Sequence, residues 1–271
     1  MGGKILGGPG LDVAREAADI VLLNDSFASI VRAVESGRAI YENIRKFIVF
    51  VFTHNWAQLV PYILYAAIGI PLPLLVVQVL AIDLAIDVVP SLALSREPPE
   101  AGIMQEPPRS IKERLFTSAV FLRSLYIGLI IAGGAMFGCL NAWISGGWQF
   151  GMPLAANDPI YIKGVTMTFA GIVLGQVGNV IACRTNKQSI FKTGLTKNKW
   201  ILVGIATQLL ILSLLLYVPV MQQLFGTTGI GAMDWLYLFL IALAVISAEE
   251  VRKFFVRKYS KSEDLTKHDH I

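Results

Sequence analysis

Apolar runs of bilayer length alternate along the chain with short polar stretches. A transmembrane helix needs about 20 mostly apolar residues, and six segments qualify: 47–70, 73–94, 124–144, 164–183, 200–219 and 235–251. Ahead of the first, Ile30, Val31, Val34, Ile40, Ile44 and Phe47 keep helical spacing. They predict a stalk helix that starts at Phe27, capped by Asp25 or Ser26, and runs into the first span, with Gly37 as a candidate break. Residues 19–23 read as a short buried strand. One strand and a stalk cannot close a core, so residues 1–46 are expected to be the remnant of a truncated cytoplasmic domain. The expected fold is an all-α membrane protein. Six transmembrane helices form a bundle over 47–256, preceded by that strand and stalk and followed by a polar, disordered cytoplasmic tail at 257–271.

Composition agrees. The chain is 55% hydrophobic and 15% charged, with a mean hydropathy of +0.61, which excludes an ordinary soluble domain. The net charge of +4 suggests nucleic acid until the basic residues are located. Threading the six spans places all 23 Lys and Arg except Lys163 on one side. Basic loops stay cytoplasmic, so both termini are expected there, in a multi-pass protein of the cell membrane with no nucleic-acid partner. The first forty residues show no secretory signal. Cys139 and Cys183 fall near opposite faces, too far apart for a disulfide. The leader GGKILGGPG lacks the G-x-x-x-x-G-K-[ST] order of a phosphate loop and reads as flexible. His268 and His270 in the tail read as solvated. Gly134-x-x-x-Gly138 and Gly171-x-x-x-Gly175 read as close helix packing, and Trp143, Trp148 and Tyr161 as an outer interfacial belt.

The second span carries the chemistry. AIDLAIDVVP, residues 81–90, sets Asp83 and Asp87 on one helical face deep in an apolar segment. An ionisable residue at mid-membrane costs upward of about 2.5 kcal/mol and faces a bundle interior or wet cavity. At 1.5 Å per residue the two acids lie roughly 20 and 13 Å from Arg96, and Asn55 and Gln58 lie roughly 13 and 18 Å from Lys46 on the first span. Pro61 and Pro90 donate no backbone hydrogen bond and so free the carbonyls of Ala57 and Ile86. Carboxylate, amide and carbonyl oxygens suit a hard cation, and broken helices are how transporters build such sites. The alternative is a hydrogen-bonded network that only joins helices. Gln176, Asn179 and Gln208 read equally as ligands or as interhelical glue.

These residues also resemble a family. DVAREAADIVLL and FASIVRAVESGRAIYENIRKFI resemble the end of the phosphorylation domain and the stalk helix of P-type cation-transporting ATPases. THNWAQLVPY, GIPLP and IDLAIDVVPSLALSREPPE resemble their fifth and sixth membrane helices, MQEPPRSIKERLFT the following loop, and EEVRKFFVRK the end of the last span. The nearest branch holds the calcium pumps and the sodium–potassium pump. The resemblance implies metal ligands at Asn55, Gln58, Asp83, Ile86, Asp87 and Asn179. Gln58 stands where those pumps commonly have Glu, and Ile86 offers only its carbonyl where calcium pumps have Thr, which leaves sodium, potassium or proton open beside calcium.

DKTGT, TGE and GDGxND are missing from this sequence. The resemblance therefore implies the C-terminal ion-translocation portion of an ATP-driven pump, with no catalytic residue and no tightly bound cofactor. ATP and magnesium would act only in the missing part, and the chain alone would not turn ATP over. The expected partners are the lipid bilayer, the transported cation and the catalytic N-terminal part of the pump. Two alternatives stand beside this: a cation carrier or channel acting alone, and a non-transporting membrane subunit of an intact pump.

Overall fold

A computed structural model describes residues 5–7, 20–22, 26–105, 107–108, 114–194 and 197–268 of the chain. Asp25, His270 and most of the glycine-rich leader lie outside them. Two three-residue strands, β1 (Ile5–Gly7) and β2 (Ile20–Leu22), pair in parallel with Ile5 opposite Ile20. Part of the leader expected to be flexible is thus strand β1.

The long helix α1 (Phe27–Ile68) follows. It does not break at Gly37: one glycine costs a helix only about 1 kcal/mol, and the flanking residues hold the ladder. Ser26 occupies the N-cap in extended backbone without a side-chain capping bond, and Gly69 ends the helix in the left-handed region at φ 70°. The second span is broken. Its parts are α2 (Val76–Ala81), a π turn at Ile82–Ile86 and α3 (Val88–Leu94), with a bend of 41° between the two arms.

The remaining long helices are α4 (Ser118–Ser145), α5 (Pro159–Cys183), α7 (Lys199–Tyr217) and α9 (Ala232–His268), with short α6 (Ile190–Thr193) and α8 (Pro219–Phe225) between them. Thr117, Asp158 and Asn198 cap α4, α5 and α7 through side-chain oxygens. Among the described residues five helices are long and apolar enough to cross a bilayer, and the bent pair makes a sixth span. The tail departs from its expected disorder, since α9 runs on to His268.

α5 is the centre of the bundle and is buried over nearly its whole length, packed by α4, α9, α1 and α7. Its glycines make this fit. A Cβ on Gly175 would lie 2.5 Å from Ile131 of α4, and one on Gly178 would lie 2.5 Å from the backbone oxygen of Ala242 on α9. Small residues let helix backbones approach in lipid, where no hydrophobic force drives helices together. Both cysteines are free and buried.

The contrast between two helical glycines is testable. Gly178→Ala should lower stability by about 1–3 kcal/mol, because the clash is with backbone that cannot turn away. Gly37→Ala, with nothing within 4 Å of the new Cβ, should raise it by about 0.5–1 kcal/mol. Thermal unfolding in detergent reads both, and equal responses would refute the packing argument.

Candidate cation site

The π turn decides where the two acids point. Asp87 N–H reaches back five residues to the Ile82 carbonyl at 2.9 Å, so the turn holds one residue more than an α-helical turn. Pro90 contributes because it offers no N–H to the Ile86 carbonyl. π turns are rare and concentrate at functional sites. Asp83 lies within this turn and Asp87 closes it.

Both acids meet the same imidazole. His54 on α1 is buried, with Nε2 3.6 Å from Asp83 Oδ1 and Nδ1 3.2 Å from Asp87 Oδ2. A neutral imidazole donates to one carboxylate only, an imidazolium to both. One turn on, Gln58 Nε2 donates to Asp83 Oδ1 at 2.9 Å. From the opposite side Gln208 Nε2 of α7 donates to Asp87 Oδ1 at 2.8 Å. Asp87 is 4% exposed. Three oxygen- or nitrogen-bearing groups here are incompletely matched: Asp87 Oδ2, Gln208 Oε1 and His54 Nδ1 are buried without a hydrogen bond of good geometry.

The expected ligands divide accordingly. Gln58, Asp83 and Asp87 are brought together, and Ile86 is buried in the π turn between the acids. Asn55 is exposed, on a different face of α1 from His54 and Gln58. Asn179 is buried on α5, where Nδ2 donates to Gln176 Oε1 at 2.9 Å and Oδ1 accepts from Cys183 Sγ at 3.1 Å. Neither meets Asp83 or Asp87 in a hydrogen bond among the described residues. No three His, Cys, Asp or Glu side chains there are gathered so as to hold a metal ion by themselves. A cation between the acids would need amide and carbonyl oxygens as well.

His54 is the residue that depth alone misses. Its signal was helical phase: it sits four residues before Gln58 and on the stripe of Phe50, Ala57 and Pro61, all buried. Asn55 is one residue, about 100°, off that stripe.

A sequence model of the family described as cation transporting ATPase, C-terminus, matches residues 71–255. The chain belongs to this family of P-type cation-transporting ATPases. It is 35% identical to the potassium-transporting ATPase alpha chain 2 of Oryctolagus cuniculus, over 96% of this chain and 26% of that protein. It is 32% identical to calcium-transporting ATPase 1 of Saccharomyces cerevisiae, over 96% and 26%. It is 31% identical to the sodium/potassium-transporting ATPase subunit alpha-2 of Gallus gallus, over 95% and 28%. The chain thus spans about a quarter of the length of these relatives and corresponds to the C-terminal membrane region of P-type cation ATPases. The matched range takes in Asp83, Asp87 and Gln208, while α1 with His54 and Gln58 precedes it.

Gln208→Leu should cost about 1–3 kcal/mol of stability, because it leaves a buried carboxylate oxygen unpaired. Asn55→Ala should stay within about 0.5 kcal/mol. Unfolding midpoints in detergent test the pair. A costlier Asn55 variant would mean that the Gln208 hydrogen bond to Asp87 does not organise the site.

Proposed function

We propose that this chain is the ion-translocating C-terminal portion of an ATP-driven pump for a small inorganic cation, with ATP chemistry supplied by residues outside this sequence. The observation that carries the proposal is the convergence of Asp83 and Asp87 on His54 beside a π turn, with Asp87 Oδ2 and Gln208 Oε1 lacking hydrogen-bond partners. Those are the oxygens a cation would take. Gln58 and Gln208 each present an oxygen in place of the amide when the side chain turns over. With the Ile86 carbonyl they complete an oxygen-rich shell around two carboxylates. Asn55 and Asn179 stay in the ligand set on the family correspondence alone.

Two carboxylates beside a histidine and two neutral amides carry less negative charge than calcium cages usually do. The proposal therefore favours a singly charged cation over calcium. Residues 1–46 are proposed as the end of the phosphorylation domain and its stalk, and 257–271 as a cytoplasmic tail. With both termini cytoplasmic, α1 runs from that side to the site as one helix.

Asp83→Asn and Asp87→Asn keep side-chain size and remove charge. Each should weaken cation binding by about 1–3 kcal/mol, the scale of hydrogen bonds to charged groups. The measurement is thermal unfolding of the chain in detergent across a series of sodium, potassium and calcium concentrations, since ligand binding to the folded state raises the midpoint. A wild type that no cation shifts, or variants that respond as wild type does, would falsify the reading.

Orientation has its own test in single cysteines introduced into a background without Cys139 and Cys183. A cysteine at Gly229 should label from outside only, and one at Lys192 from the cytoplasm only. The reverse pattern would overturn the topology.

A further inference from the structure

At the basic end of the bundle a cavity of about 530 Å³ opens between α1, the loop after α3, the first turns of α4, the loop after α5, and α9. It shares no lining residue with the cation site. Five cationic side chains reach its wall, Arg45, Lys46, Arg123, Lys187 and Arg252, against two carboxylates, Glu42 and Glu100. One further acid, Glu249, is buried behind it and is shared by two of the cations. Arg123 Nη2 and Arg252 Nη2 each lie 2.9 Å from its Oε2, and the Tyr126 hydroxyl donates to its Oε1. A single carboxylate between two guanidiniums leaves that side of the cavity positive.

Donor capacity is left over. Nη1 of Arg252 makes no hydrogen bond among the described residues, while Nε and Nη2 are taken by Glu249 and the Asn186 carbonyl. Lys46 Nζ lies 3.2 Å from Glu100 Oε1 and 3.5 Å from Asn43 Oδ1. An ammonium has three N–H groups, so one remains. The wall also has apolar stretches, with Val49, Val120 and Val256, beside polar Asn43, Asn186 and Gln188. Guanidinium and ammonium groups beside apolar stretches, at the end of a membrane bundle, match a phosphate carried at the bilayer surface. A cation would be repelled there.

We propose that this cavity binds a phosphate-bearing anion, with Arg252 and Lys46 as its main donors and Arg45, which also lies 3.8 Å from Glu42, on its wall. The proposal does not rest on the cation reading of Asp83 and Asp87. The anion has two sources, the headgroup of an acidic lipid or a soluble phosphate, and the experiment separates them.

The chain is placed in nanodiscs of phosphatidylcholine with a minor fraction of phosphatidate, then released and examined by native mass spectrometry. Phosphatidate should be retained about tenfold over phosphatidylcholine, relative to the input. Arg252→Gln should remove most of that preference. Arg45→Gln, on the cavity wall, should weaken it and serves if Arg252→Gln does not give a monodisperse protein. Lys192→Gln, on exposed α6, should leave it unchanged. Millimolar inorganic phosphate that displaces the retained phosphatidate would assign the cavity to a soluble anion, and failure to displace it assigns the cavity to the lipid. Equal retention of both lipids with no response to phosphate, or equal loss in Lys192→Gln and Arg252→Gln, overturns the proposal.

Discussion

The structure turns on what it takes to keep Asp87 buried inside a bundle of bilayer length. A carboxylate removed from water must be met by donors or it neutralises. The groups that meet it come from two other helices: Gln208 on α7 donates to Oδ1, and the His54 imidazole on α1 lies 3.2 Å from Oδ2. Asp83 draws on the same imidazole and on Gln58. Three helices are thereby fixed in rotation about their own axes, since a turn of any one by a single residue would withdraw a donor. The partners do not use up the oxygens, however. A network that only joins helices would be satisfied completely, and the atoms left over at Asp87 and Gln208 are what the proposed function rests on.

A second polar layer holds the C-terminal end of the broken span. Glu97, ten residues beyond Asp87, pairs with Arg184 at the end of α5, Nη2 to Oε1 at 2.8 Å, and both side chains are buried. Asn198, the cap of α7, donates to the other Glu97 oxygen at 2.7 Å, and Asn43 of α1 donates to the Glu97 carbonyl, also at 2.7 Å. Buried ion pairs are weak stabilisers against well-packed apolar residues, yet removing one partner is strongly destabilising. Their contribution is therefore geometric. They join α1, α3, α5 and α7 below the site, so the 41° bend between α2 and α3 occurs between fixed points.

Hydrophobic length located the spans, because in lipid a helix is the only way a single segment satisfies its backbone. The two acids were legible for the same reason, as charges with no place in an apolar run. Helical phase was much less legible. A soluble helix shows its core face by apolar spacing, but here Phe52 and Leu59 face outward while Phe50 and Ala57 face inward, and all four are apolar. Depth then pointed to Asn55 where phase selects His54. Pro90 marked the break in the second span, but an inserted residue four positions upstream has no composition of its own. Glu97 and Arg184 are ordinary loop residues until tertiary structure buries them. The tail was judged by polarity alone, and α9 shows that a polar sequence can extend a helix already nucleated by its apolar part.

The two helices that carry the site differ mechanically. α1 is unbroken from Phe27 through Gln58, and its one proline, Pro61, removes a bond to the Ala57 carbonyl at the site and none on the stalk side of it. Lys46 and Glu42, at the basic end, and His54, at the site, therefore ride on one rod, with Lys46 and His54 roughly 12 Å apart along the axis. The facing acids sit where the helix has a π turn and a bend, so their backbone has two anchored arms and a compliant joint. On the proposed function, a displacement of the N-terminal part of α1 would carry His54 and Gln58 together, while the joint would let Asp83 and Asp87 lag. Such relative motion of donors against acids would change which oxygens a cation meets. A rigid helix opposite a jointed one permits that motion more readily than two straight helices packed along their length.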